Sequence, residues 1–216
     1  MSLELKKRII TSFFLLCLLL FMFLYTFILI ISLIIIAIVA WIEFYALVSK
    51  IFKINNFKEN IFRFLAKSIS LIYLSLIVFL IITNFEQKIY IFFILLISVF
   101  SDIGGLIVGK VFKGKKLSKI SPNKTRSGAI GSFIFSLSLI PIFYTHLNSY
   151  NIYFLFFYII IISMTSQLGD FFISFLKRKA HVKDTSDLLP GHGGILDRID
   201  GILFAIPVGF LLMNFF

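Results

Sequence analysis

The stretch IITSFFLLCLLLFMFLYTFILIISLIIIAIVAWIEFYALV, residues 9–48, carries a single charged side chain, Glu43. A helix needs about 20 apolar residues to cross a bilayer, so this run is long enough to cross twice. The spacing divides it at Tyr25-Thr26 into helices of roughly 9–24 and 27–48. Outward from it, further apolar runs lie at 68–85, 89–109, 128–145, 152–173 and 199–215. The expected architecture is an all-α, polytopic integral membrane protein, a bundle of about seven transmembrane helices. Composition agrees: the chain is 60% hydrophobic with a mean hydropathy of +1.05. Soluble domains run nearer 45–50% apolar. A core of this size cannot hide that excess, so lipid is the solvent that fits.

The charges orient the bundle. Lys6, Lys7 and Arg8 precede the first run. Lys50, Lys53, Lys58, Arg63 and Lys67 fall between the second and third. Lys110, Lys113, Lys115, Lys116, Lys119, Lys124 and Arg126 follow the fourth, and Lys177, Arg178, Lys179, Lys183 and Arg198 follow the sixth. All of these sit on one side, 20 of the 21 basic residues, with Lys88 opposite. The positive-inside rule then makes the N-terminus cytoplasmic. The basic start followed by an apolar run looks like a secretory signal, but the run is too long, and we read it as a retained first span. Net charge is +11. In a membrane protein this suits anionic lipid head groups and a polyanionic substrate rather than nucleic acid. One cysteine, Cys17, excludes an internal disulfide and a cysteine metal site. Residues 1–100 read as scaffold helices and 101–216 as a catalytic region, with two long cytoplasmic loops at 110–127 and 174–198.

Chemistry concentrates in that second region. Asp102 and Asp170 fall inside apolar runs, where ionisable groups are costly and often functional. Each could equally fix helix packing, as an ion pair, a kink or a notch beside glycine. Asp170, Ser174 and Lys177 recur at helical spacing and form one polar stripe. The segment Gly191-His192-Gly193-Gly194-Ile195-Leu196-Asp197-Arg198-Ile199-Asp200 is the sharpest signal. Its glycines permit close approach of backbone N–H groups to an anion at a helix start. Asp197 and Asp200 share a helix face and suit a hard cation such as Mg²⁺. The plainer reading is a glycine turn with Asp197 as a helix cap. His192 could donate to phosphate or relay a proton, or only brace its own loop. Glu43 is expected to pair with a neighbouring helix. Gly128 and Gly131 suggest close helix packing or a phosphate-facing turn. Pro141 and Pro207 read as helix kinks.

Residues 174–200 resemble the full signature of the phosphatidate cytidylyltransferases, also called CDP-diacylglycerol synthases. The matching positions are Ser174, Leu176, Lys177 and Arg178, then Lys183, Asp184 and Ser186, then Leu189-Pro190 and the run from His192 to Asp200. Gly169-Asp170, Asp102, Gly109, Ser121-Pro122, Lys124-Thr125, Gly128 and Gly131 are also similar to the family. Arg126-Ser127, Ser132 and Gly104-Gly105 depart from its pattern, and the first hundred residues match in hydropathy alone.

The resemblance implies that CTP and phosphatidic acid become CDP-diacylglycerol and pyrophosphate at the cytoplasmic face of a bacterial-type inner membrane. It implies Mg²⁺ on Asp170, Asp197 and Asp200, with a second cation as an option. Lys177 and Arg198 join these carboxylates as catalytic groups. Arg178, Lys183, His192, Gly193, Gly194, Ser174, Lys124 and Asp102 would contact the substrates. A homodimer is expected from the family alone. The rival readings are a CTP-dependent polyprenol or phytol kinase, which should lack the complete 174–200 signature, and a cation-coupled transporter, which should show paired half-helices and internal repeats.

Overall fold

A computed structural model describes residues 3–52, 57–117, 121, 124–146 and 151–215. Lys53, Lys119 and Pro122 therefore lie outside the described residues. Among the described residues eight α-helices follow in order: α1 Leu3–Leu24, α2 Thr26–Ile51, α3 Phe57–Thr83, α4 Lys88–Phe112, α5 Arg126–Leu137, α6 Ile140–His146, α7 Ile152–Lys179 and α8 Leu196–Phe215. Six helical stretches are long and apolar enough to cross a membrane, with α5 and α6 counted together. α8 is the seventh long helix and opens with Asp197, Arg198 and Asp200. The protein is an all-α polytopic integral membrane protein.

Tyr25 is the single non-helical residue between α1 and α2, extended at φ −124°, ψ 111°. The other boundaries differ from the apolar runs for identifiable reasons. α3 begins at Phe57 rather than 68, because Lys58, Glu59, Arg63 and Lys67 are good helix formers that hydropathy does not register. α7 likewise continues to Lys179, so the loop read as 174–198 is in fact 180–195. The span read as 128–145 breaks at Ser138-Leu139. Pro141 cannot donate to residue 137, and the chain tightens there through Leu139 N to the Ser136 carbonyl.

The chain divides into two compact units, residues 1–85 with 176–199 and residues 86–175 with 200–216. The loop carrying most of the signature packs with the N-terminal helices, not with the second half of the sequence.

In the first unit, Leu29, Ala40, Leu47, Val48, Leu74, Ile77 and Ile81 are buried. Outward-facing residues are also apolar: Phe14 is 66% exposed and Phe27 75%. Apolar side chains on the outside are what a helix facing lipid requires. In the second unit, Ser98, Ser101, Ser132, Ser136, Ser163 and Ser166 are buried beside apolar residues such as Phe93, Ile97, Phe143 and Ile162. Small side chains let helices approach when lipid supplies no hydrophobic drive. A Cβ at Gly104 would stand 2.5 Å from the Gly131 carbonyl oxygen, and one at Gly131 would collide with Val108. Gly128 and Gly131 therefore serve the packing of α5 on α4. Thr125 caps α5 by accepting from Gly128 N at 3.0 Å.

Candidate active site

The signature loop of the first unit is built around two carboxylates. Asp197, in the first turn of α8, has a side chain only 4% exposed. Its Oδ1 accepts from Lys177 Nζ at 2.6 Å. Its Oδ2 accepts from Thr185 N at 2.8 Å, Thr185 Oγ1 at 2.9 Å and Gly194 N at 3.0 Å. Burial pushes the Asp197 carboxyl up, but the Lys177 hydrogen bond and the N–H groups of Thr185 and Gly194 outweigh it and hold it below 3.8. Asp197 thus ties the end of α7, the loop and the start of α8 together.

Glu43, on α2, is the second carboxylate and is 4% exposed. Its Oε1 accepts from Ser186 Oγ at 2.6 Å and Ile195 N at 3.1 Å. Its Oε2 accepts from Thr185 Oγ1 and Leu196 N, both at 2.8 Å. The sequence placed Glu43 against a neighbouring helix; its partners are the loop and the first turn of α8. Nothing in the sequence paired Glu43 with Thr185, because 142 positions separate them.

The glycines acquire a different role here. Gly191 and Gly193 adopt φ of +78° and +81°, a turn that side chains rarely tolerate. Gly193 N donates to the Leu189 carbonyl and Gly194 N to Asp197. The two N–H groups assigned to phosphate are therefore engaged within the loop. A Cβ at Gly194 would collide with Thr185 Oγ1 and stand 2.5 Å from Glu43 Oε2. The close approach that Gly194 permits is that of a glutamate.

The His192 ring is braced by α1, while its backbone N–H donates to the Leu189 carbonyl within the loop. Its Nδ1 lies 2.6 Å from Thr11 Oγ1 and its Nε2 3.3 Å from Ser12 Oγ. The Arg198 guanidinium donates through Nε and Nη2 to the His192 carbonyl. Arg178 and Lys183 are exposed, with Arg178 reaching the Val182 carbonyl at 3.4 Å. Lys177 is only 12% exposed at its side chain and is committed to Asp197.

The second unit holds the remaining candidates. Asp170 pairs with Lys124, the two side chains 31% and 28% exposed, and accepts from Ser174 Oγ at 3.3 Å. Asp102, on α4, is exposed and within electrostatic reach of both Asp170 and Lys124. Lys124 is held beside an isolated antiparallel bridge between Lys116 and Thr125, and Leu117 N donates to its carbonyl. Asp200 Oδ1 accepts from Gly201 N at 2.8 Å. Asp200 also lies where α7 and α8 touch: a Cβ at Gly169 would stand 2.5 Å from its carbonyl oxygen.

Among the described residues, no group of three or more His, Cys, Asp or Glu side chains is gathered as a cation site. Within each unit the donor chemistry suits a hard cation: Asp170 and Asp200 in the second, and Asp197 in the first, offer carboxylate oxygens. At Asp170 and Asp197 a lysine ammonium already meets the carboxylate, so a cation would compete with Lys124 and Lys177 there.

Residues 6–216 match the model of the Cytidylyltransferase family. A phosphatidate cytidylyltransferase of Rickettsia typhi is 44% identical over 119 residues, covering 50% of this chain and 51% of that protein. That of Rickettsia conorii is 39% identical over 150 residues, 64% of each chain. That of Bacillus subtilis is 41% identical over 143 residues, 64% of this chain and 53% of that protein. The matched segment thus spans from about half to just under two thirds of these relatives. With nearly its whole length matched by one family model, the chain belongs to the cytidylyltransferase family.

Proposed function

We propose that this protein is a phosphatidate cytidylyltransferase. A phosphate oxygen of phosphatidic acid attacks the α-phosphorus of CTP, the bond from that phosphorus to the bridging oxygen breaks, and pyrophosphate leaves. CDP-diacylglycerol is the product. The nucleophile is already anionic, so the obstacle is the repulsion between two polyanions rather than deprotonation. The observation that carries this reading is the complete 174–200 signature folded around Asp197, with Lys177, Thr185 and Gly194 all bound to one carboxylate.

The chain's own residues then divide the work. Exposed Arg178, Lys183 and Arg198 offer cations to triphosphate or lipid phosphate. Lys124 and Lys177 neutralise Asp170 and Asp197, and would be free to meet phosphate if those carboxylates held another cation. Asp170, Asp197 and Asp200 would hold Mg²⁺, with which the motif agrees; bound, it would neutralise phosphate charge and align the attack. Asp102 and Ser174 flank Asp170, and His192 presents the loop. The N-terminus and both basic loops face the cytoplasm, a bacterial inner membrane is the setting, and the working form is a homodimer.

The test is the full chain in mixed micelles with phosphatidic acid, and in parallel with a polyprenol, with Mg²⁺ and CTP labelled at both its α- and γ-phosphates. A nucleotide-bearing lipid and labelled pyrophosphate are expected, both abolished by chelator. A phosphorylated alcohol made from a polyprenol instead would replace this reading with the lipid-kinase one.

A further inference from the structure

We propose that Glu43 is a positioning residue for the transfer reaction: from α2 it fixes the 185–196 loop and, through Thr185, the carboxylate of Asp197. The inference rests on the function proposed above. Glu43 lies outside the signature and far from it in sequence, yet it receives four hydrogen bonds from it. Two donors, Ile195 N just before α8 and Leu196 N at its first residue, stand at the helix start, where N–H groups have no partner within the helix. A carboxylate there satisfies both and meets the positive end of the helix. Among the described residues no lysine or arginine forms an ion pair with Glu43. These donors are therefore what stabilises its burial.

The coupling to Asp197 runs through one hydroxyl. Thr185 Oγ1 is 2.8 Å from Glu43 Oε2 and 2.9 Å from Asp197 Oδ2, and its single proton serves one oxygen at a time. Thr185 N holds Asp197 in addition. Moving Glu43 frees Thr185, and Asp197 then loses the frame that aims it at Lys177. Gly194 belongs to the same device, because any side chain there would occupy the place of the Glu43 carboxylate.

Each carboxylate oxygen of Glu43 takes one rotatable hydroxyl and one fixed backbone N–H. Glu43→Gln therefore points an NH₂ group at either Ile195 N–H or Leu196 N–H, whichever way the amide is turned. Only the hydroxyl on that side can turn to accept.

The experiment compares E43Q, G194A and the double variant in the full chain, in phosphatidate micelles with CTP and Mg²⁺. Amide exchange at Ile195 and Leu196 and thermal unfolding are recorded in parallel. For E43Q we expect kcat to fall by about 10-fold or more, with smaller changes in KM. The two amides should exchange faster while α2 and α3 stay protected. G194A should mimic E43Q, and the double variant should be no worse than the poorer single, since both remove one contact. If E43Q does not fold, Glu43→Asp takes its place, keeping the charge and both acceptor oxygens. Unchanged exchange at Ile195 and Leu196, unchanged kcat, or losses that multiply in the double variant would each overturn the proposal. A wild-type chain that makes no CDP-lipid, while E43Q still exchanges faster, would count against the function and leave the anchor standing.

Discussion

The acidic residues of the two units are held in opposite ways. In the first unit the side chains of Glu43 and Asp197 are buried, and each is met by four donor atoms, one of them the Thr185 hydroxyl that the two share. In the second, Asp170 is 31% exposed and meets one flexible ammonium and one long hydroxyl contact, and Asp102 is exposed. A buried carboxylate with four donors is a structural node, because removing it strands every donor. A half-exposed one beside a lysine can exchange that lysine for another cation at little cost, since such pairs are worth about 0–1 kcal/mol. The first unit supplies a frame and the second an exchangeable acid.

The largest effect should come from breaking the frame. Asp197→Ala leaves Lys177 and two N–H groups without an acceptor, and breaking a buried pair costs about 3–5 kcal/mol. Thermal unfolding in detergent should drop accordingly, and CDP-diacylglycerol synthesis should vanish. Asp170→Asn is the counterpart: activity falls by on the order of 100-fold, while stability changes by less than about 1 kcal/mol. If both variants were equally destabilised, the contrast would collapse. Gly131→Leu tests packing alone. It forces α5 off α4 at a cost of about 1–3 kcal/mol, read as a lower unfolding midpoint.

The smallest effect is on pH dependence, in chelator. Asp197 has a depressed carboxyl, so its stabilising contribution is present above 3.8 and is lost as pH falls through the lower folded-state value. The unfolding midpoint of the wild type should fall over that acid range, and Asp197→Asn should flatten its share of the fall. A variant with the same acid sensitivity as wild type would show that Asp197 carries no net linkage.

The sequence by itself determined that this chain lies in a membrane, which stretches of it are apolar helices, and over which 27 residues the signature runs, but not the polar ends of α3 and α7. Those features are local: hydropathy follows from side-chain transfer, and the break at Tyr25 and the motif spacings are read along the chain. It also marked Glu43 as the one charge in a forty-residue apolar run, without naming its partners. Only the tertiary structure decided that the signature loop packs with the N-terminal helices, that Gly194 clears space for Glu43, and that α1 braces His192. Those outcomes depend on hydrogen bonds closed between residues more than 100 positions apart. No periodicity records such pairings, because a buried donor constrains the space around it and not its distance along the chain.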